Sequence, residues 1–330
     1  MDLRLGSLVI LTHHTKPGLF VYDEDSRYCY FNPNSFESSE EFFLIGVVFG
    51  LAIYNSTILD VALPPVVFKK LLKSPSSTLM APSLARQSQR CTLDDLAIFR
   101  PALARGLRQL LEFEGNVEEV FCRNFAVEID RFGQHSTVPL IPGGEDIPVT
   151  NANRKTFVDK YTTYILDTSV AKQFEPFKRG FYTVCGGNAL SLFRPEEIEL
   201  LVRGSDDPLD ISALRAVAMY EGWNKLMGDN KDIPIAEHDP VIRWFWSFFE
   251  GITPDEQRLL LAFITGSDRI PAMGATNLVI KLVCMGDDCD RFPVARTCFN
   301  ALYLCRYRRR EKLEQMLWRA VEESEGFGIK

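Results

Sequence analysis

The chain has 330 residues, 46% hydrophobic and 25% charged, with 24 phenylalanines, enough apolar material for one large globular domain or two to three smaller ones. Its formal net charge of -7 argues against a protein that reads nucleic-acid backbones, which needs a basic face. The longest apolar stretch, Phe42 to Tyr54, is broken by glycines and falls short of the ~20 residues a membrane span requires, so a buried helix is expected there.

In chain order, Phe20-Val21-Tyr22 and Tyr28-Cys29-Tyr30-Phe31 flank a polar turn and predict a β-hairpin. Ser38 followed by Glu41 is a capping box opening a helix through Phe42, Ile45, Val48, Phe49 and Ala52, apolar on nearly every face and so central to a large domain. Leu63-Pro64-Pro65 restarts a helix with Val66, Val67, Phe68, Leu71 and Leu72. Residues 73–90, rich in Ser and Pro, read as a surface loop. A helix from Pro101 carries Leu103, Leu107, Leu110 and Leu111; Phe125–Ile129 is a strand and Gly143-Gly144 a turn. Helices follow from about Arg154 to Leu166, with Phe157 and Tyr161 on or near one stripe, and from Val170 to Phe181, with Lys178-Arg179 expected at its carboxyl end.

Pro195 starts another helix and Asp210 caps one running to about Met219. Tyr220 to Glu237 is polar, with Gly222, Gly228 and Pro234, and is the boundary candidate. Beyond it, Asp239-Pro240 and the capping box Thr253-Pro254-Asp255-Glu256 open two helices, Leu278–Val283 is a strand, and Lys312–Glu323 is an amphipathic helix.

Between the last two lies a cysteine, Cys298, after a proline-containing loop and at the mouth of an apolar run, Phe299 to Leu304, expected as a short strand. A thiol at such a junction can be reached by another molecule, and it is a soft nucleophile. Arg296 can help hold a thiolate and the Thr297 hydroxyl can donate to it. The eight cysteines are spread from Cys29 to Cys305 in a chain too long to need staples, and the opening residues do not read as a secretory signal. Reduced thiols and a cytoplasmic or nuclear location are expected. Cys284, Cys289, Cys298 and Cys305 lack the two close pairs of a structural zinc site, so no metal is expected. The four histidines follow no cysteine-protease signature and all precede Cys298, which disfavours a papain-like triad. The run Arg306, Arg308, Arg309, Arg310, Lys312 is either solvated surface or a dock for an acidic partner.

Arg296-Thr297-Cys298-Phe299-Asn300, preceded by Phe292-Pro293 and followed by Leu302-x-Leu304, resembles the active-site loop of HECT-type ubiquitin ligases. So do the ending Gly326-Phe327-Gly328-Ile329-Lys330, with phenylalanine fourth from the end, the run Phe263-Ile264-Thr265-Gly266-Ser267-Asp268-Arg269, and Arg194-Pro195-Glu196-Glu197-Ile198-Glu199-Leu200. The front of the chain, Tyr22 to Pro33 and Phe42 to Asn55, is similar to the early part of the family's large lobe, with the first few dozen residues of that lobe expected to be missing. The runs from Leu110 and Val184 look most like a fungal-type branch.

The resemblance implies an α+β, bilobal fold: a large, mostly helical lobe over 1–219 with a conjugating-enzyme-binding subdomain at about 95–185, a hinge at 220–238, and a small α/β lobe over 239–330. It implies a ubiquitin-protein transferase without cofactor. Cys298 would accept ubiquitin as a thioester from a charged ubiquitin-conjugating enzyme and pass it to a substrate lysine. Thr297 and Arg296 would assist. Many relatives carry histidine where Arg296 stands, and arginine is no base at neutral pH, so its implied work is anion stabilisation or contact with the ubiquitin tail. Phe327 would anchor the carboxyl-terminal tail near the site. Leu103, Leu107, Phe157 and Tyr161 match the family's conjugating-enzyme anchors. The competing expectation is a catalytically incomplete piece that binds ubiquitin or conjugating enzyme without completing transfer.

Overall fold

Residues 18–59, 61–72, 90–186, 189–223 and 239–327 are described by a computed structural model. They divide into two compact units. The first holds the described residues up to Asn55 and from Val61 to Glu199; the second holds 56–59 and those from Leu200 onward.

In the first unit the expected hairpin forms, β1 (Phe20–Tyr22) pairing antiparallel with β2 (Cys29–Phe31). Helix α1 (Ser39–Tyr54) opens on its capping box: Ser38 Oγ accepts from the Glu41 N–H at 3.4 Å, and the Glu41 carboxylate accepts from the Ser38 N–H at 2.8 Å. Helix α2 (Pro65–Leu71) begins on proline, as predicted. Next come α3 (Leu93–Phe99), with a Thr92/Asp95 capping box, α4 (Pro101–Glu112) and α5 (Val117–Phe121). A hairpin of β3 (Ala126–Arg131) and β4 (Gln134–Pro139) and then α6 (Arg154–Leu166) and α7 (Ala171–Val184) complete the unit, up to the start of α8 (Pro195–Arg203). The expected loop at 73–90 lies, but for Arg90, outside the described residues.

The α1–α7 crossing organises this unit. A Cβ on Gly46 would lie 1.9 Å from the Phe177 carbonyl oxygen, and one on Gly180 would lie 1.9 Å from that of Phe43. Only glycine permits this backbone approach. Around it Phe31, Phe49, Phe174 and Phe177 pack ring against ring at 5.1–6.1 Å. The contact also carries α7 past its expected end: Lys178 and Arg179 sit within the helix, and the Arg179 guanidinium lies 5.5 Å over the Phe43 ring. Lys70 is buried, and its ammonium is held by the Leu166 carbonyl at 3.0 Å and the Asp167 carboxylate at 2.9 Å.

The second unit continues through α9 (Ile211–Val217), β5 (Met219–Glu221), α10 (Pro240–Gly251) and α11 (Pro254–Thr265), the last two capped by Asp239 and Thr253 as expected. Strands β6 (Lys281–Cys284), β7 (Val294–Arg296) and β8 (Ala301–Leu304) and helix α12 (Arg310–Phe327) follow. The sheet runs β5-β6-β8-β7, with β5, β6 and β8 parallel and β7 antiparallel. Its core joins Leu282, Leu302 and Leu304 to Phe245, Trp246 and Phe249 of α10, Leu260 and Leu261 of α11, and Leu313 and Leu317 of α12.

The boundary expected at 219/220 falls inside this unit. Met219–Glu221 is an edge strand, and the buried Trp223 indole donates to the Leu282 carbonyl at 2.9 Å. Residues 224–238, the rest of the expected hinge, lie outside the described residues. Strand β6 starts at Lys281, three residues later than the apolar run suggested, after a 3-10 turn at Ala275–Asn277.

Gly180→Ala should destabilise the first unit by about 3 kcal/mol through forced separation of α1 and α7. Gly106→Ala, with nothing within 4 Å of the new Cβ on an exposed helical position, should instead stabilise by about 0.5–1 kcal/mol. Urea unfolding followed by circular dichroism separates the two signs.

Candidate active site

Cys298 is set by four residues that turn the chain between two strands. β7 and β8 pair through Arg296 and Ala301, leaving Thr297–Asn300 as the connection. Thr297–Phe299 form one 3-10 turn, closed by Asn300 N–H donating to the Thr297 carbonyl at 3.1 Å. Asn300 takes φ 48°, the left-handed region that asparagine tolerates better than most residues. Its carbonyl accepts from Lys281 N–H at 2.8 Å, so the turn is continuous with the ladder of strand β6. The expected strand from Phe299 therefore begins at Ala301, and the polar Asn300 in that run marks the turn.

The geometry leaves the Cys298 thiol half-buried and unpaired by sulfur, reachable yet held by backbone bonds on both sides. Thr297 is exposed and lies against Gly266, the left-handed cap of α11 (φ 81°), whose Cβ position is 3.4 Å from the Thr297 Cβ. Arg296 is exposed, with its guanidinium 4.9 Å over the Tyr303 ring, which holds a cation beside the turn. Phe299 presents half of its surface, 50%, next to the thiol. Phe327 is the last residue of α12; its side chain and residues 328–330 lie outside the described part.

The anchors expected on the first unit separate into two kinds. Leu107 is 6% exposed and Phe157 3%, the latter edge-on to Phe125 at 5.5 Å, so both are core side chains without surface to offer a partner. Leu103 and Tyr161 are half-buried, and Tyr161 packs against Phe157 at 5.6 Å. A helical stripe alone does not reveal which of its members reach the surface.

The basic cluster after β8 proves internally engaged in part. Arg306 Nη2 donates to the Trp223 carbonyl, its guanidinium stacks 5.6 Å from that indole, and its Nε faces the Asp239 carboxylate at 3.3 Å. Arg310 pairs with Glu314 at 2.6 Å. Lys312 holds Asp288 at 3.0 Å and Asp290 at 2.8 Å, and its hydrogen bond pulls the Asp288 carboxyl below the usual aspartate range. The Tyr307 hydroxyl donates to the Arg291 carbonyl at 2.7 Å, fixing the approach to β7. Contrary to the expectation of thiols throughout, Cys289 and Cys305 are joined by a disulfide. Neither the Arg306–Trp223 contact nor the disulfide had a sequence signal, since each joins residues brought together only by the tertiary fold.

A model of the family described as "HECT-domain (ubiquitin-transferase)" matches residues 9–330. The chain is 42% identical over 316 residues to the mouse "Probable E3 ubiquitin-protein ligase HECTD2", covering 96% of this chain and 39% of that protein. It is 38% identical over 332 residues to the fission yeast (Schizosaccharomyces pombe) "Probable E3 ubiquitin-protein ligase mug30", covering 95% and 39%, and 38% identical over 317 residues to the human "Probable E3 ubiquitin-protein ligase HERC4", covering 95% and 27%. The chain thus spans about two fifths or less of the length of these curated relatives. Mammalian and yeast proteins match alike, which singles out no fungal branch. Among the described residues no helix is long and apolar enough to cross a membrane.

Asn300→Val, β-branched at positive φ, should cost the second unit about 1–2 kcal/mol more than Asn300→Gly, which keeps the left-handed backbone without strain. All four tryptophans lie in this unit, so the fluorescence midpoint in urea reads the difference. Burial pushes the Tyr307 phenol from its ordinary value of 10 up to about 12. Its contribution is complete below pH 10 and is lost as the pH rises through 12, because the unfolded chain ionises first. The fluorescence midpoint of Tyr307→Phe should accordingly fall less between pH 10 and 12.

Proposed function

The chain belongs to the HECT-domain (ubiquitin-transferase) family, and from that membership we propose that it is a ubiquitin-protein ligase working by transthiolation at Cys298. The observation that carries the reading is a half-buried thiol on a turn braced by backbone hydrogen bonds at both ends, within a chain matched by the family over residues 9–330. In the first step the Cys298 thiolate attacks the thioester carbonyl joining ubiquitin to a conjugating enzyme's cysteine. One carbon–sulfur bond forms and one breaks, and the conjugating enzyme leaves as thiolate. The exchange is close to isoenergetic, so positioning serves where a strong base would otherwise be needed. In the second step a deprotonated substrate lysine attacks the new thioester, an isopeptide bond forms and Cys298 is released. The activated bond arrives with the ubiquitin, so the chemistry requires neither metal nor cofactor.

Roles follow from chemistry. Cys298 is the acceptor. Thr297, on the same turn, can donate to the sulfur. Arg296, a permanent cation held against Tyr303, suits contact with the ubiquitin tail and excludes proton transfer by that side chain. Phe327 anchors the end of the chain during lysine transfer. Leu103 and Tyr161 offer surface for the conjugating enzyme, backed by the buried Leu107 and Phe157. A reaction that needs a free thiol suits the cytoplasm or nucleus.

In a single-turnover assay with preloaded conjugating enzyme, the natural chain should give a thiol-sensitive ubiquitin adduct on a non-reducing gel. Cys298→Ala should give none, and Phe327→Ala should load normally but lose at least tenfold in transfer to lysine. No adduct from folded protein with any of several conjugating enzymes would sink the transfer reading and favour a module that binds ubiquitin or conjugating enzyme.

A further inference from the structure

We propose that Cys289 and Cys305 form a reversible disulfide that staples the strand–turn–strand carrying Cys298 and leaves the Cys298 thiol free. The two cysteines are bonded across 16 residues of sequence, with Cα atoms 6.3 Å apart, and the ring they close contains β7, the Cys298 turn and β8. Cys298 lies inside that ring and takes no part in it.

The two segments are held together by bonds that need no sulfur. Met285 N–H donates to the Leu304 carbonyl at 2.8 Å and Arg306 N–H to the Gly286 carbonyl at 2.9 Å. Tyr307 holds the Arg291 carbonyl, and Lys312 holds Asp288 and Asp290, the residues on either side of Cys289. Reduction therefore leaves the two thiols side by side, and reclosure meets a high effective concentration. The sulfurs differ in access: Cys305 is buried in the core at 1% exposure, whereas Cys289 is half-buried in the surface loop. Exchange starts at Cys289.

In the oxidising direction the Cys289 thiolate attacks a low-molecular-weight disulfide such as oxidised glutathione, forming a mixed disulfide and expelling one thiolate. The Cys305 thiol loses its proton and displaces the second. Two protein thiols give up two electrons and two protons, and the small disulfide becomes two thiols. A reducing dithiol reverses both steps. Closing the ring restricts the unfolded chain and so strengthens the folded unit. The pairing is independent of the transfer reaction; only its consequence for ubiquitin loading rests on that reading.

The test equilibrates the whole chain in glutathione buffers of graded ratio, labels it natively with N-ethylmaleimide, and maps the peptides by mass spectrometry. A linked Cys289–Cys305 peptide should appear in oxidising buffers and vanish in reducing ones, with Cys298 labelled in both at rates within twofold. Oxidation should raise the tryptophan-monitored melting temperature by about 5–10 °C. Cys289→Ser, at a half-buried position, should keep the fold and lose both the linked peptide and the shift. Labelling of Cys289 across the whole series with no linked Cys289–Cys305 peptide, or a linked peptide that uses Cys298 or Cys284, would overturn the proposal. Neither result depends on ubiquitin transfer, so a failure to load ubiquitin leaves this inference separately decided.

Discussion

The hydrogen bond from Lys281 N–H to the Asn300 carbonyl sets the register on which the second unit depends. It begins the parallel pairing of β6 with β8, which continues as Leu282 with Leu302 and Cys284 with Leu304. Because strand side chains alternate between faces, this register sends Leu282, Leu302 and Leu304 into the core. The residue that starts it is two past Cys298. Cys298, the acceptor in the proposed reaction, therefore sits just before the well-buried strand β8, half-buried on a turn held by backbone hydrogen bonds.

Several neighbouring contacts act on the same short piece of chain. Gly266 caps α11 against Thr297, Tyr303 holds Arg296, and Tyr307 and Lys312 hold the loop that leads into β7. A reaction that exchanges one thioester for another needs alignment more than proton transfer. The geometry suits the reaction proposed above: the turn is closed by the Asn300 N–H on the Thr297 carbonyl and tied to β6 by the Lys281 N–H on the Asn300 carbonyl. The arginine two residues before the cysteine fits that economy, since it sets a cation beside the turn.

The first unit obeys a different constraint. Gly46 and Gly180 let two helices meet backbone to backbone, and a phenylalanine cluster fills the space around the crossing. Elsewhere in the unit Phe157 is buried edge-on to Phe125, Leu107 is buried as well, and Tyr161 packs half-buried against Phe157.

By itself the sequence determined the features that depend on neighbours along the chain. The Ser38 and Thr253 capping boxes, the prolines at Pro65, Pro195 and Pro254, the hairpin at Phe20–Phe31 and the cysteine between loop and strand were all legible, because caps, turns and periodicity act within a few residues. The family's motifs were legible for the same reason. Only the tertiary structure decided what the sheet of the second unit brings together: Met219–Glu221 as a strand beside β6, Cys289 bonded to Cys305, and Arg306 against Trp223 and Asp239; in the first unit it alone decided that Leu107 and Phe157 are buried. These are contacts between residues distant in sequence, and their free energy comes from burial and pairing that no local pattern encodes.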